Sequence, residues 1–379
     1  MDGAAVTLED LHSRHHSTVT ALRAEHPAAW VPAVNGWMVT SRDLAVAVMR
    51  DDATFTVDDP RFSTAQVVGP SMLSLDGPDH QRHRTPFVDP LRPADATAVY
   101  GARIVGIASA LLESLAPRGR AELRRELAGP LAVATSAMVL GLDAMRAEDL
   151  LHDYDRIVAA VDGVSQGRAV SEDGAAAFSR LDRAIRMAMP DRGSLIGRAA
   201  AALTAEEAVS NSAVFLFGGI ETSEGMTANV FHHLLATPEH WARVMVDRSL
   251  VDQAVEESLR LEPAAARVDR YATADVALGD VRIRKGDLVI VSIAGANRDP
   301  EVFTDPDVFD LDRPNSRAHV AFAHGPHACI GAQLARLQTR AALHAALDRL
   351  PELALDGTPM ATGVIFRKPS TLDATWLVG

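Results

Sequence analysis

With one cysteine, Cys329, in 379 residues, this chain can form no internal disulfide, so packing alone must hold its fold. That cysteine lies in a segment that constrains the rest: Phe322-Ala323-His324-Gly325-Pro326-His327-Ala328-Cys329-Ile330-Gly331. Glycines bracket it, an aromatic opens it, and the helix-forming run Ala332-Gln333-Leu334-Ala335-Arg336-Leu337 follows at once. A thiol on a Gly-rich turn at a helix start is placed to exist as thiolate. Backbone N–H groups and the positive helix end both favour the charged sulfur. Such a thiolate can be a nucleophile or a metal ligand.

Composition narrows the setting. Hydrophobic residues make up 47% and charged residues 23%, enough to bury a large core. The net charge of -13 argues against nucleic acid as the main partner, because phosphate binding needs a basic face. One cysteine fits a reducing compartment, the N-terminus carries no signal-peptide pattern, and the apolar run Val214–Phe217 is too short to cross a bilayer. The expectation is a cytoplasmic protein with no membrane partner. Almost all positive charge is arginine, lysine occurring only at Lys285 and Lys368, which points to a GC-rich bacterial genome. No linker divides the chain, so residues 1–379 are expected to form a single domain.

Taken in order, Leu8 to Glu25 reads as one helix stopped by Pro27. Strands at 29–34 and 37–40 are expected to meet at an Asn35-Gly36 hairpin turn. Ser41 caps a helix from Leu44 to Met49, and 51–69 reads as a loop. Asp76-Gly77-Pro78 starts a helix that places His80 and Arg84 on one face, with the Asp76 side chain expected as its N-cap and Pro78 in the first turn. From Ala94 to Met189 the pattern is helical, with loops near Pro117–Gly119 and Asp162–Ser171. Thr204-Ala205-Glu206-Glu207 is a capping box opening a long apolar helix to Leu235. Inside it lies Gly218-Gly219-Ile220-Glu221-Thr222, where each glycine costs about 1 kcal/mol relative to alanine. Either small residues permit a close helix crossing there, or the helix is weakened where something must approach its backbone. Glu257 and Arg260 share a helix face, and from Ala264 the period changes to two. The sum is a mainly α fold with a smaller β portion (α+β), about a dozen helices, and β-rich regions near 29–40, 264–293 and 352–376.

Three readings of Cys329 compete. A Cys/His nucleophile would use His327, but no protease-type signature surrounds the thiol. Zinc would take His324, His327 and Cys329, yet structural zinc normally uses four protein ligands. Axial ligation of haem iron is the third. Haem also needs an apolar slot, cations for two propionates and a distal surface for dioxygen. His80, Arg84, Arg270 and His327 are candidate propionate partners, and the helix carrying Gly218-Gly219 offers the distal floor.

Phe322-x-x-Gly325-x-His327-x-Cys329-x-Gly331 resembles the haem-binding signature of the cytochrome P450 family. Gly218-Gly219-x-Glu221-Thr222 is similar to that family's oxygen-activation motif. Glu257-x-x-Arg260 resembles its core ion pair, with Arg313 as the third member, and His80-x-x-x-Arg84 resembles its propionate-binding pair. Asn297-Arg298-Asp299-Pro300 is a familiar bacterial segment, and order and spacing agree from Trp30 to Trp376. Two positions depart: Ala323 stands where glycine is usual, and Gly218 where alanine is usual. A Cβ at 323 is tolerable where φ is negative.

The resemblance implies a P450 fold, with haem b between the distal long helix and the helix after the cysteine loop. It implies a soluble bacterial monooxygenase that inserts one oxygen atom from O2 into a C–H bond of a small apolar molecule in secondary metabolism. Cys329 would ligate iron, Thr222 would hydrogen-bond at the oxygen site, and Glu221 would feed protons. Electrons would come from a ferredoxin and its reductase, with Arg336 and Arg340 read either as a docking patch or as solvated helix charges. Substrate contacts are expected at Val68, Met72, Val214 and Gly218, and at Ala265, Ala266, Val268, Val364 and Ile365. Arg267 is expected on the strand face opposite Arg270, away from haem. Oxidative coupling or desaturation on the same scaffold, or a haem sensor without turnover, are the alternatives.

Overall fold

Apolar residues recurring at helical spacing through most of the chain fold as expected. In the computed structural model, which describes residues 2–143, 145–165 and 167–378, 59% of the residues are helical, in fifteen α-helices and several shorter 3-10 and π segments, and 11% are in strands. The chain gathers into two units. One comprises residues up to 56, 108–129 and from 222 onward; the other comprises 57–107 and 130–221. Three boundaries fall inside the helices Pro93–Leu115, Gly129–Leu140 and Ala205–Leu235, and the fourth directly follows the strand Phe55–Thr56.

The first unit is built on a five-stranded sheet in the order Ala28–Val31, Gly36–Val39, Leu288–Ser292, Arg267–Ala272, Phe55–Thr56. Its middle strand is buried on both faces, and the strand period of two separates its side chains. Val289 and Val291 join one core with Val39, Val48 and Ile293, while Ile290 joins another with Leu11, Leu22 and Met38. The first hairpin is wider than an Asn-Gly turn. Val31 pairs with Gly36, so Gly36 is already in the strand, and Pro32–Val34 forms a 3-10 turn ended by Asn35 at φ 48°. Proline sets that turn by fixing φ and removing a donor.

Other boundaries also differ. The N-terminal helix divides at Arg14, into Leu8–Ser13 and His15–Glu25. Segment 51–69 is not all loop: Phe55–Thr56 pairs in the sheet, and Ser63–Val68 is helical.

The second unit is helical. Helix Ala147–Ser165 runs past Asp162, so the loop expected from there starts later. The capping box is present: Glu207 N donates to Thr204 Oγ1 (3.2 Å) and Thr204 N to Glu207 Oε2 (3.0 Å). Asp76 precedes its helix, Gly77–Val88, but its carboxylate accepts Val57 N (2.8 Å) instead of capping. Among the described residues the 26-residue stretch Pro93–Arg118, which contains an 18-residue window of mean hydropathy 1.4, is long and apolar enough to cross a membrane, a candidate that the short Val214–Phe217 run does not reveal. Its helix buries Ala96, Tyr100, Ile104, Ala108 and Leu112 at four-residue spacing, so one face is seated in the protein.

Candidate active site

The cysteine segment is a closed loop in the first unit. Cys329 N donates to Phe322 O at 2.8 Å, Ala323 N to Val320 O at 2.9 Å and Ala328 N to Gly325 O at 3.1 Å. Gly325–His327 forms a 3-10 turn, and helix Ala332–Arg349 begins three residues beyond the exposed Cys329. Buried Asn297 pins the loop's entry, accepting Val320 N (2.7 Å) and donating to Leu259 O (3.2 Å). Gly325 sits at φ +74°, and a Cβ there would lie 2.3 Å from Met49 O, so only glycine fits.

Ala323 corrects an expectation. Its φ is +56°, in the left-handed region, so its Cβ is strained rather than tolerated. Ala323→Gly is therefore expected to stabilise the protein by about 1 kcal/mol. A rise in thermal midpoint of about 1 °C would register this, and an unchanged midpoint would reject it.

Arg336 and Arg340 do not form a free docking patch. Arg340 Nε lies 2.7 Å from Asp252 Oδ1. Arg336 donates through Nε (2.6 Å) and Nη2 (2.9 Å) to the two carboxylate oxygens of Glu256, and its guanidinium lies 4.5 Å from the Phe322 ring centroid. Glu256 is fully buried, and His319 Nε2 is 3.2 Å from its Oε2. Burial pushes its carboxyl up, but Arg336 and His319 pull harder, leaving it below the usual carboxylate range.

Next along the same helix, Leu250–Leu261, Glu257 forms the expected triad. Its Oε1 accepts Arg260 Nη2 (2.8 Å), Arg313 Nε (2.9 Å) and Asp310 N (3.1 Å), and its Oε2 accepts Arg260 Nε (2.8 Å). Glu257 and Arg260 are 0% exposed and Arg313 5%. This is a buried ion network holding the irregular 297–313 stretch: Arg260 also donates to Asn297, Pro306 and Val308 carbonyls.

Arg270 is buried on its strand and donates to its neighbour's carbonyl, Asp269 O (2.8 Å). Arg267 pairs with Asp269 (3.3 Å), two residues away on the same strand face and opposite Arg270. His327 ends the 3-10 turn before Cys329. In the second unit His80 is 3% exposed, which rules out a solvated patch for it, and Arg84 is half-buried on the same helix.

The long helix Ala205–Leu235 is continuous through Gly218-Gly219. Gly219 has a packing reason: a Cβ there would lie 2.8 Å from Ser136 Oγ. Gly218 faces open space, so the alanine usual in the family would also fit. Surface is exposed again mid-helix at Phe217–Gly219, Glu221 and Thr222, though the helix is otherwise largely buried. Asp162, unmarked by any motif, belongs with Glu221. Burial first, and then the Glu221 charge, push its carboxyl above the usual range.

The same unit holds an apolar cavity bounded by Val68, Tyr154, Ile157, Val161, Leu216 and Phe217, among others, with room for about one water. Val68 is the one expected substrate contact that lines it; Met72 and Val214 are buried elsewhere. Leu150, Tyr154, Ile157 and Val161 line it from one face of helix Ala147–Ser165, a stripe that i, i+4, i+7 spacing in the sequence would have revealed. In the first unit, Ala266 is fully buried, Val268 and Val364 pack against the cores, and Ala265 and Ile365 keep exposed surface.

Two segments of that unit are clamped together. Ala266 N donates to Ile365 O (2.8 Å) and Arg367 N to Ala264 O (2.9 Å). Buried Asn229 donates to both Glu262 O (2.9 Å) and Arg367 O (3.1 Å), and Arg367 Nε to Glu262 Oε1 (2.9 Å). Arg367 also caps the Gly363 and Ala361 carbonyls, both at 2.8 Å.

The donor set fits a porphyrin iron better than zinc. Among the described residues no cluster of three or more His, Cys, Asp or Glu side chains is placed to hold a metal ion. A lone thiol on a closed loop suits an iron whose equatorial ligands come from a macrocycle. Buried Arg270, and His327 at the end of the turn before Cys329, are cation types that suit that macrocycle's carboxylates.

Comparison with known proteins agrees. The family model described as Cytochrome P450 matches residues 194–351. Cytochrome P450 monooxygenase PikC of Streptomyces venezuelae is 33% identical over 374 residues, covering 93% of this chain and 87% of the relative. Nocardicin C N-oxygenase of Nocardia uniformis subsp. tsuyamanensis is 34% identical over 390 residues, covering 95% of each. The crystal structure of P450BioI in complex with hexadec-9Z-enoic acid ligated acyl carrier protein superposes with a TM-score of 0.88 at 27% identity, covering 97% of this chain and 99% of that one. The chain belongs to the cytochrome P450 family. It is a P450 monooxygenase, an oxidoreductase with bacterial relatives, and membership implies haem with a thiolate ligand.

Proposed function

We propose that this enzyme inserts one oxygen atom from O2 into a C–H bond of a small, largely apolar molecule, by hydroxylation or epoxidation, in bacterial secondary metabolism. The observation that carries the reading is the placement of the sole thiol, Cys329, exposed on a closed loop at the start of a helix. Haem b, when bound, supplies the activation of dioxygen. Cys329 holds the iron, with Phe322 and Gly331 framing the thiolate. Arg270 and His327 neutralise propionate charge, and the family pattern gives His80 and Arg84 the same role. Gly218 leaves open space on the distal helix, and Gly219 lets that helix pack closely.

Thr222 holds a hydrogen-bonded water at the oxygen site, and half-exposed Glu221 passes protons to it from solvent, with Asp162 as its neighbouring acid. Thr222→Ala is expected to keep consuming reductant while product per reductant falls about tenfold or more and hydrogen peroxide is released instead. Unchanged coupling of reductant to product would remove Thr222 from this role.

The electrons come from a ferredoxin and its reductase, since the chain carries no flavin or iron–sulfur motif. The whole chain acts as one P450 domain in the cytoplasm. The substrate meets the exposed parts of Ala265 and Ile365. Screening compounds for those that shift the ferric iron from low to high spin identifies ligands, and turnover of a hit with ferredoxin and reductase tests the reaction. Coupled or desaturated products from such hits would replace oxygen insertion as the reading.

A further inference from the structure

Glu256 is a fully buried carboxylate for which neither the family motifs nor the oxygen chemistry gives a role. It lies next to Glu257 on helix Leu250–Leu261, where adjacent residues point about 100° apart. Glu257 faces Arg260 and Arg313; Glu256 faces the cysteine loop. Its carboxylate grips that loop on both sides of Cys329. On the N-terminal side it meets His319 Nε2 (3.2 Å), while His319 Nδ1 accepts Ala321 N (3.2 Å). An Nδ1 that accepts leaves Nε2 as the donor to Glu256. On the C-terminal side it takes both arms of Arg336 from helix Ala332–Arg349. Arg336 then lies 4.5 Å over the Phe322 ring, and His319 packs 6.1 Å from the same ring at 54°. Phe322 O accepts the Cys329 backbone N–H.

We infer that Glu256 is a positioning residue for the thiolate: through Arg336, His319 and Phe322 it fixes where the Cys329 loop presents its sulfur. Planar, bidentate Arg–carboxylate pairing gives this link its directionality, and a lysine cannot reproduce it. Groups outside the ligand shell that orient a metal ligand commonly change metal affinity or activity by about 10–100-fold when removed. Glu256 occupies such a place. The inference rests on the haem-thiolate reading of Cys329.

The experiment compares reduced carbon monoxide spectra of the haem-loaded wild type with those of Glu256→Gln, Glu256→Asp, Arg336→Lys, the double variant Glu256→Gln/Arg336→Lys and, as control, Asp252→Ala. The control removes Asp252, an exposed acid on the same helix that pairs with Arg340. If the wild type lacks the red-shifted Soret band, the haem-thiolate reading fails, and this inference with it. If it has the band, Glu256→Gln is expected to speed loss of that band about tenfold or more while haem stays bound. Arg336→Lys should do the same, Glu256→Asp should partly rescue, and the double variant should exceed neither single one, because all act through one contact. The control should match wild type. Wild-type band lifetimes in both Glu256→Gln and Arg336→Lys overturn the inference, as do additive effects in the double variant. Loss of haem from Glu256→Gln, with Glu256→Asp and Arg336→Lys both holding haem at wild-type band lifetime, overturns it too.

Discussion

Cys329→Ser is expected to abolish the red-shifted Soret band of the reduced carbon monoxide complex and reduce monooxygenation to background. The chain has no second cysteine to substitute, and serine's neutral hydroxyl cannot donate charge to iron as a thiolate does. The loop itself should survive. Its closing contacts are backbone bonds, Cys329 N to Phe322 O and Ala323 N to Val320 O, and neither uses the sulfur. Circular dichroism and the thermal midpoint of the variant are therefore expected to stay near wild type, while the spectrum changes completely. A variant that kept the band would show that another group ligates the iron.

Glu257→Ala should act in the opposite way, on the fold before the chemistry. It deletes a carboxylate that accepts four hydrogen bonds and leaves Arg260 and Arg313 as buried charges without their counter-ion. Breaking a buried ion network from one side costs about 3–5 kcal/mol. Against a total stability of about 5–15 kcal/mol that is a large share. Little haem-loaded protein is expected, and what forms should unfold at clearly lower denaturant. Normal haem loading with an unchanged midpoint would contradict the structural role. Glu256→Gln, one residue away, gives a contrasting pattern: a protein that folds and binds haem but holds its thiolate less firmly.

The contrast between these neighbours shows what the sequence could and could not reveal. Glu257 was legible because Arg260 lies one helical turn away and the spacing matches a known motif. Glu256 looks in sequence like any surface acid, and its partners His319 and Arg336 come from distant segments that only folding assembles. Arg336 was misread for the same reason, since a charged residue on a helix reads as solvated until its partner is seen. Capping chemistry transferred well at Thr204–Glu207, because the box is local. It failed at Asp76, whose carboxylate found a more distant backbone N–H. Ala323 shows the remaining limit: the departure from glycine was visible, but the sign of φ was not. Among helices, type was readable and ends were not, as at Arg14 and Ser165.

The clamp around Glu262, Asn229 and Arg367 has a consequence for how this enzyme can diversify. The bonds it makes to the 361–367 and 262–266 stretches are to main-chain oxygens and amides, with the charges buried behind them. Backbone course and side-chain identity are thereby uncoupled at Ala265 and Ile365. Exchanging those two side chains alters the surface on offer without touching a bond that fixes it. A library confined to such positions samples new selectivities at little cost in folding, while the same number of changes at Asn229, Glu262 or Arg367 mostly yields unfolded chains.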